Sequence, residues 1–222
     1  AQGDLDAGIQ EGELAQAVAG AIREPCDRVR DELHAMRSRP AYEDMRGELD
    51  ILSEEVEACH RIVDDLLAWA QAPELAREEQ DVAEVIHSAV ERFRSTELGR
   101  AIELEADAES CSLWLDAVRV RQVLANLLRN ASRASPGGSV RVEGHLAEND
   151  RYRVSVTDDG PGVPPEQLPR LFEPFYTGHQ GTGLGLAVCH GIVAAHGGAI
   201  FAEVRSEGGL SVSFELPRRP TS

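Results

Sequence analysis

Residues 171–188 read LFEPFYTGHQGTGLGLAV, and their glycines decide how the rest of the chain is read. Gly181, Gly183 and Gly185 stand at alternate positions just before an apolar run that reaches His196 and stops at the glycine pair 197–198. A glycine-rich loop that opens a helix gathers free backbone N–H groups and the positive end of the helix dipole at one point, which suits an anion such as phosphate. Thr177, Thr182 and Leu184 fall in the same loop, and the polar stretch 176–182 reads as a mobile lid. A lone pattern of this kind is weak, so its neighbours matter.

Two upstream stretches add to it. VTDDGPGVP (156–164) is a strand end at Asp158 followed by Gly160 and Gly162, where the backbone turns sharply and approaches a ligand closely. A carboxylate there can accept a hydrogen bond from an exocyclic amino group such as adenine's; an ordinary acidic turn reads the same way. NLLRN (126–130) sets Asn126 and Asn130 four apart on one helix face, with Arg133 three residues on. Amide oxygens suit a Mg²⁺ that also touches phosphates, and a guanidinium holds phosphate oxygens. Two solvated asparagines are the commoner explanation. Around these stretches, SVRVEGHL and RYRVSVTD alternate with period two and read as an antiparallel pair. AIELEA, SLWL, AIFAEV and LSVSFELP read as further strands, and 81–94 (Asp81 as N-cap) and 116–135 as helices. Interleaved helices and antiparallel strands predict an α/β sandwich with helices on one face of a mixed sheet.

In order and spacing these stretches resemble the ATP-binding catalytic domain of sensor histidine kinases, within the superfamily that includes gyrase, Hsp90 and the mismatch-repair ATPases. NLLRNAS is similar to its N box, DDGPG to G1, LFEPFY to the F box and GTGLGL to G2, over roughly 80–217. The resemblance implies a Bergerat-type sandwich. It implies Asn130 on Mg²⁺, Asp158 on the adenine amino group, Gly160 and Gly162 lining ATP, Arg133 on phosphate, and the loop from Gly181 to Gly185 cradling phosphates. His179 stands where many members carry a lid lysine, and the lid is about one residue short. The superfamily's ATP hydrolases place a glutamate as general base where this chain has Asn126, which cannot take a proton.

Residues 1–72 carry almost no strand signal. Met45, Leu49, Leu52, Val56, Cys59, Val63, Leu66 and Ala70 form a heptad seam, and Ile22, Cys26, Val29, Leu33 and Met36 form a second one across RSRPAY, where Pro40 divides two helices. The two arms predict an antiparallel hairpin that buries its stripes in a dimeric four-helix bundle, the alternative being a monomeric hairpin packed on the second domain. In the kinase family the hairpin's first helix carries His-Glu-x-x-Asn/Thr-Pro. Aligned on Pro25, this chain has Gly20, Ala21 and Glu24 at the three functional positions. Glycine offers no lone pair for phosphoryl transfer, so autophosphorylation at the usual place is expected to be absent. His34 lies nearly four turns further on. With a turn near 39–40, His60 is expected level with position 20, as a relocated acceptor or simply an exposed histidine.

The domains are therefore read as a hairpin over 1–72, a linker over 73–80 and the ATP-binding type of domain over 81–219. Net charge −17 and a pI near 4.8 argue against nucleic acid or anionic membrane as partners. No apolar run approaches membrane length and no signal peptide is visible, and Cys26, Cys59, Cys111 and Cys189 have no framework spacing, so a cytoplasmic protein with free thiols is expected. The function expected is a Mg-ATP-binding, homodimeric pseudokinase or regulator of two-component signalling, with a response regulator or partner kinase. The alternatives are an active kinase that phosphorylates a separate protein or His60, an ordinary histidine kinase with an altered box, and a scaffold that no longer binds ATP.

Overall fold

The computed structural model describes residues 2–70, 75–177 and 182–219, and the chain divides into two compact units, 1–72 and 73–222. The first is the hairpin: α1 (Gln2–Arg37) runs unbroken across Pro25, a 3-10 turn occupies Pro40–Met45, and α2 (Arg46–Ala70) returns. The seam divides by burial. Leu33, Leu49 and Val63 are buried between the arms, while Ile22, Val29, Met45 and Leu52 are exposed. Each arm therefore buries only part of its apolar stripe.

Two ion pairs, Arg37–Asp50 and Arg23–Asp64, and the approach of His60 Nε2 to Asp27 at 3.5 Å share a single antiparallel register. Continued, that register brings Gly20 level with Leu67, not with Cys59 and His60. His60 instead lies level with Asp27, seven positions or about 10 Å along α1. The six-residue 3-10 turn is the reason, because it moves the fold point from 39–40 to near 43–44.

In the second unit, Asp81 caps α3 (Val82–Arg94) by accepting from the Ala83 N–H at 2.9 Å, and a one-turn helix, α4 (Glu97–Arg100), follows. β1 (Glu78–Asp81) pairs antiparallel with β3 (Ser112–Leu115), so the end of the expected linker is a strand of this unit. The main sheet contains β2 (Glu103–Ala108), β4 (Ser139–Ala147), β5 (Arg151–Asp158), β6 (Ala199–Val204) and β7 (Leu210–Pro217), in the order β2-β4-β5-β7-β6. Only β2–β4 is parallel. With α5 (Ala117–Ala134) and α6 (Gly185–Ala195), this is the expected mixed sheet with helices. Val142, Val154 and Phe214 from the sheet and Ile86, Leu124 and Leu128 from the helices fill the core. Tyr152 is also buried. Its hydroxyl donates to the Glu109 carbonyl at 2.6 Å, and burial pushes its pKa well above the usual tyrosine value. No described helix is long and apolar enough to cross a membrane.

Candidate functional site

The site is assembled from the second half of α5, the end of β5 and the loop entering α6. Asp158 ends β5 only 4% exposed. Its Oδ1 accepts the Gly160 N–H at 2.9 Å and the Leu210 N–H at 3.3 Å, and its Oδ2 has no hydrogen-bond partner among the described residues. Burial raises its pKa above the usual aspartate value, against the lowering effect of those two backbone donors. A carboxylate fixed through one oxygen, with the other left over, is ready to accept from an amino group. Gly160 is required beside it, because a Cβ there would sit 2.6 Å from the Ala134 carbonyl oxygen at the end of α5.

Asp159 clasps the same corner. It accepts from the Ser135 hydroxyl and from the Ser139 N–H (3.0 Å) and hydroxyl (3.1 Å), tying the turn after α5 to the end of β5. The Ser135 hydrogen bond holds its pKa below the usual value. Sequence reasoning used Asp158 and passed over Asp159; the doubled acid before GPG was the available signal.

Along α5, Asn130 and Arg133 are exposed, whereas Asn126 is 3% exposed. Its amide donates to the Gly185 carbonyl at 3.2 Å and accepts from Arg129, so Asn126 joins α5 to the start of α6. The shared helix face is as expected, but the two asparagines on it have different surroundings. In the glycine loop, Thr182 accepts the Leu184 N–H at 3.2 Å, and Leu184 is buried. Gly183 has φ +67°, and a Cβ there would lie 2.5 Å from the Phe175 carbonyl carbon. The loop thus turns under the backbone of the F-box segment. Thr177 is exposed and Gly162 has φ +68°. Gly181 and His179 lie outside the described residues, as does the middle of the expected lid. No group of three or more His, Cys, Asp or Glu side chains among the described residues is arranged to hold a metal ion. An amide ligand such as Asn130 stands apart from that set.

The fold and this corner define a class, and comparison with known proteins agrees. Residues 115–220 match the family described as histidine kinase-, DNA gyrase B-, and HSP90-like ATPase. The chain is 34% identical over 211 residues to the sensor histidine kinase ZraS of Klebsiella oxytoca, covering 93% of this chain and 46% of that protein. Full-length ShkA solved in complex with AMPPNP superposes with a TM-score of 0.80 at 28% identity, over 95% of this chain and 46% of that one. Histidine kinase ThkA solved with the response regulator protein TrrA gives 0.68 at 28%, over 94% and 62%. The chain belongs to the sensor histidine kinase family. It spans just under half the length of the ZraS proteins it matches.

Proposed function

We propose that this chain binds Mg-ATP in the cytoplasm, dimerises through its hairpin and cannot phosphorylate itself at the family's usual position, so that it acts as a nucleotide-responsive regulator of a response regulator or partner kinase. The observation that carries the last part is Gly20, an exposed position with no side chain and nothing within 4 Å of where a Cβ would be. Among the described residues, no side chain of the opposite arm comes within 4 Å of that point. His60 is a poor substitute, because its Nε2 is buried and lies 3.5 Å from Asp27.

The nucleotide site fits the group it would hold. Asp158 Oδ2 would accept a hydrogen bond from the adenine amino group, Gly160 and Gly162 would let backbone approach the nucleotide, and the N–H groups of the loop around Gly183 and Gly185 would serve its phosphates. Arg133 neutralises phosphate charge, and Asn130 offers an amide oxygen to Mg²⁺, which when bound screens the phosphates. Asn126 is turned to α6 and cannot deprotonate water, which favours binding over hydrolysis. Dimerisation rests on the exposed Ile22, Val29, Met45 and Leu52, which belong to the two stripes. The ThkA–TrrA complex supports a response regulator as partner.

Incubation with γ-labelled ATP, alone and with candidate response regulators and kinases, tests the reading. Expected is saturable Mg-ATP binding with no acid-labile phosphate on this chain; labelling of a histidine in the hairpin would overturn it.

A further inference from the structure

Helices α5 and α6 lie antiparallel and are joined at both ends. At the nucleotide end Asn126 donates to the Gly185 carbonyl; between, the Cys189 thiol points at the Val123 carbonyl 3.8 Å away. At the far end His196, 3% exposed, follows the last residue of α6. Its Nδ1–H donates to the Ile192 carbonyl at 2.8 Å, and its Nε2 accepts the Asp116 N–H at 3.1 Å. That arrangement requires the neutral ring, and burial lowers the pKa accordingly. Asp116 in turn caps α5 through the Val118 and Arg119 N–H groups.

Two residues from the segment that leads in from α2 close on this far end. The Ala76 N–H donates to Asp116 Oδ2 at 3.0 Å, and the Arg77 guanidinium donates to the Ala195 carbonyl in the last turn of α6. A cation at a helix C-terminus is favoured by the dipole, and here it is also hydrogen-bonded. One short stretch of chain thus grips the N-terminus of α5 and the C-terminus of α6 together. The other ends of those helices carry Asn130 and the glycine loop.

We propose that Ala76 and Arg77 form a strap that, through Asp116 and His196, sets the relative position of α5 and α6 and thereby the nucleotide site, with Arg77 and His196 as positioning residues. This rests on the nucleotide reading above. Any pull on the chain entering from α2 reaches the strap before it reaches the sheet, so hold and release of the strap change nucleotide affinity, and nucleotide in turn changes the strap.

Mg-ATP affinity by calorimetry on the full chain, paired with amide exchange at Ala76, tests it. Arg77→Ala is expected to weaken binding roughly fivefold or more, with Arg77→Lys, which keeps a donor for the Ala195 carbonyl, recovering most of the loss. Saturating Mg-ATP is expected to slow exchange at Ala76 in the parent. Unchanged affinity in Arg77→Ala alongside faster Ala76 exchange would sink the strap and leave the nucleotide reading standing. No binding by the parent would overturn the nucleotide reading and the strap with it. Should Arg77→Ala not fold, unchanged Ala76 exchange in the saturated parent is enough to reject the strap.

Discussion

Gly20 and Gly183 are both glycines at positions that matter, and they are opposites. Around Gly183 a Cβ would collide with the Phe175 backbone and φ is +67°; around Gly20 nothing stands within 4 Å. Gly20 also sits inside α1, where glycine costs about 1 kcal/mol relative to alanine. In the second unit glycine is imposed by the fold. In the hairpin no packing calls for it, which is why the proposed loss of an acceptor side chain leaves the scaffold unchanged. The contrast separates a site that is held in shape from one that is merely still present.

Substitution at Gly183 should break the comparison most severely. Gly183→Ala meets both a left-handed backbone conformation that L side chains rarely adopt and the Phe175 backbone, so a stability loss of about 2–4 kcal/mol and no measurable Mg-ATP binding are expected, by thermal melt and calorimetry. Asp158→Asn comes next. The amide keeps an oxygen for the Gly160 and Leu210 N–H groups but presents its own donors to the adenine amino group, so affinity should fall on the order of tenfold to a hundredfold with little change in melting temperature.

The same aspartate sets a pH signature. Its folded pKa lies above the unfolded value, so the folded state binds more protons between the two. Stability from this residue is therefore lost as pH rises from 3.8 through the raised value, while nucleotide binding is gained over the same interval. Asp158→Asn should flatten both slopes in pH-dependent melts and titrations.

A subtler test rebuilds chemistry in the open space of the hairpin. Gly20→His with Ala21→Glu and Glu24→Asn has room for the imidazole and should acquire acid-labile label from ATP where the parent has none. Failure with ATP still bound would place the deficit beyond the acceptor. The smallest effect belongs to Gly20→Ala, which should stabilise α1 by about 1 kcal/mol without altering nucleotide affinity.

What was legible in the sequence follows from which forces leave a pattern. β4 and β5 showed through period-two alternation because one sheet face is buried, and α3 showed through its Asp81 cap. β1 reads EEQD, without an apolar residue; backbone pairing to β3 makes it a strand, and pairing leaves no trace in composition. Spacing put Asn126 and Asn130 on one face, but only the entry of α6 against that face separates the buried amide from the exposed one. The level of His60 was misjudged because a proline marks where a helix ends and not how many residues the following turn consumes. Asp116 meets Ala76 and His196 across 40 and 80 positions, so no local pattern announces those contacts, whereas Asp159 is signalled only by the doubled acid before GPG.

The half-covered stripe of the hairpin has a thermodynamic consequence. Leu33, Leu49 and Val63 are the buried apolar side chains among the described residues of that unit, while Ile22, Val29, Met45 and Leu52 of the same stripes are exposed. The sandwich, with its own filled core, melts as a private property of one molecule. In the proposed dimer a second copy covers Ile22, Val29, Met45 and Leu52, so the hairpin's melting point is expected to belong to a population and to fall on dilution.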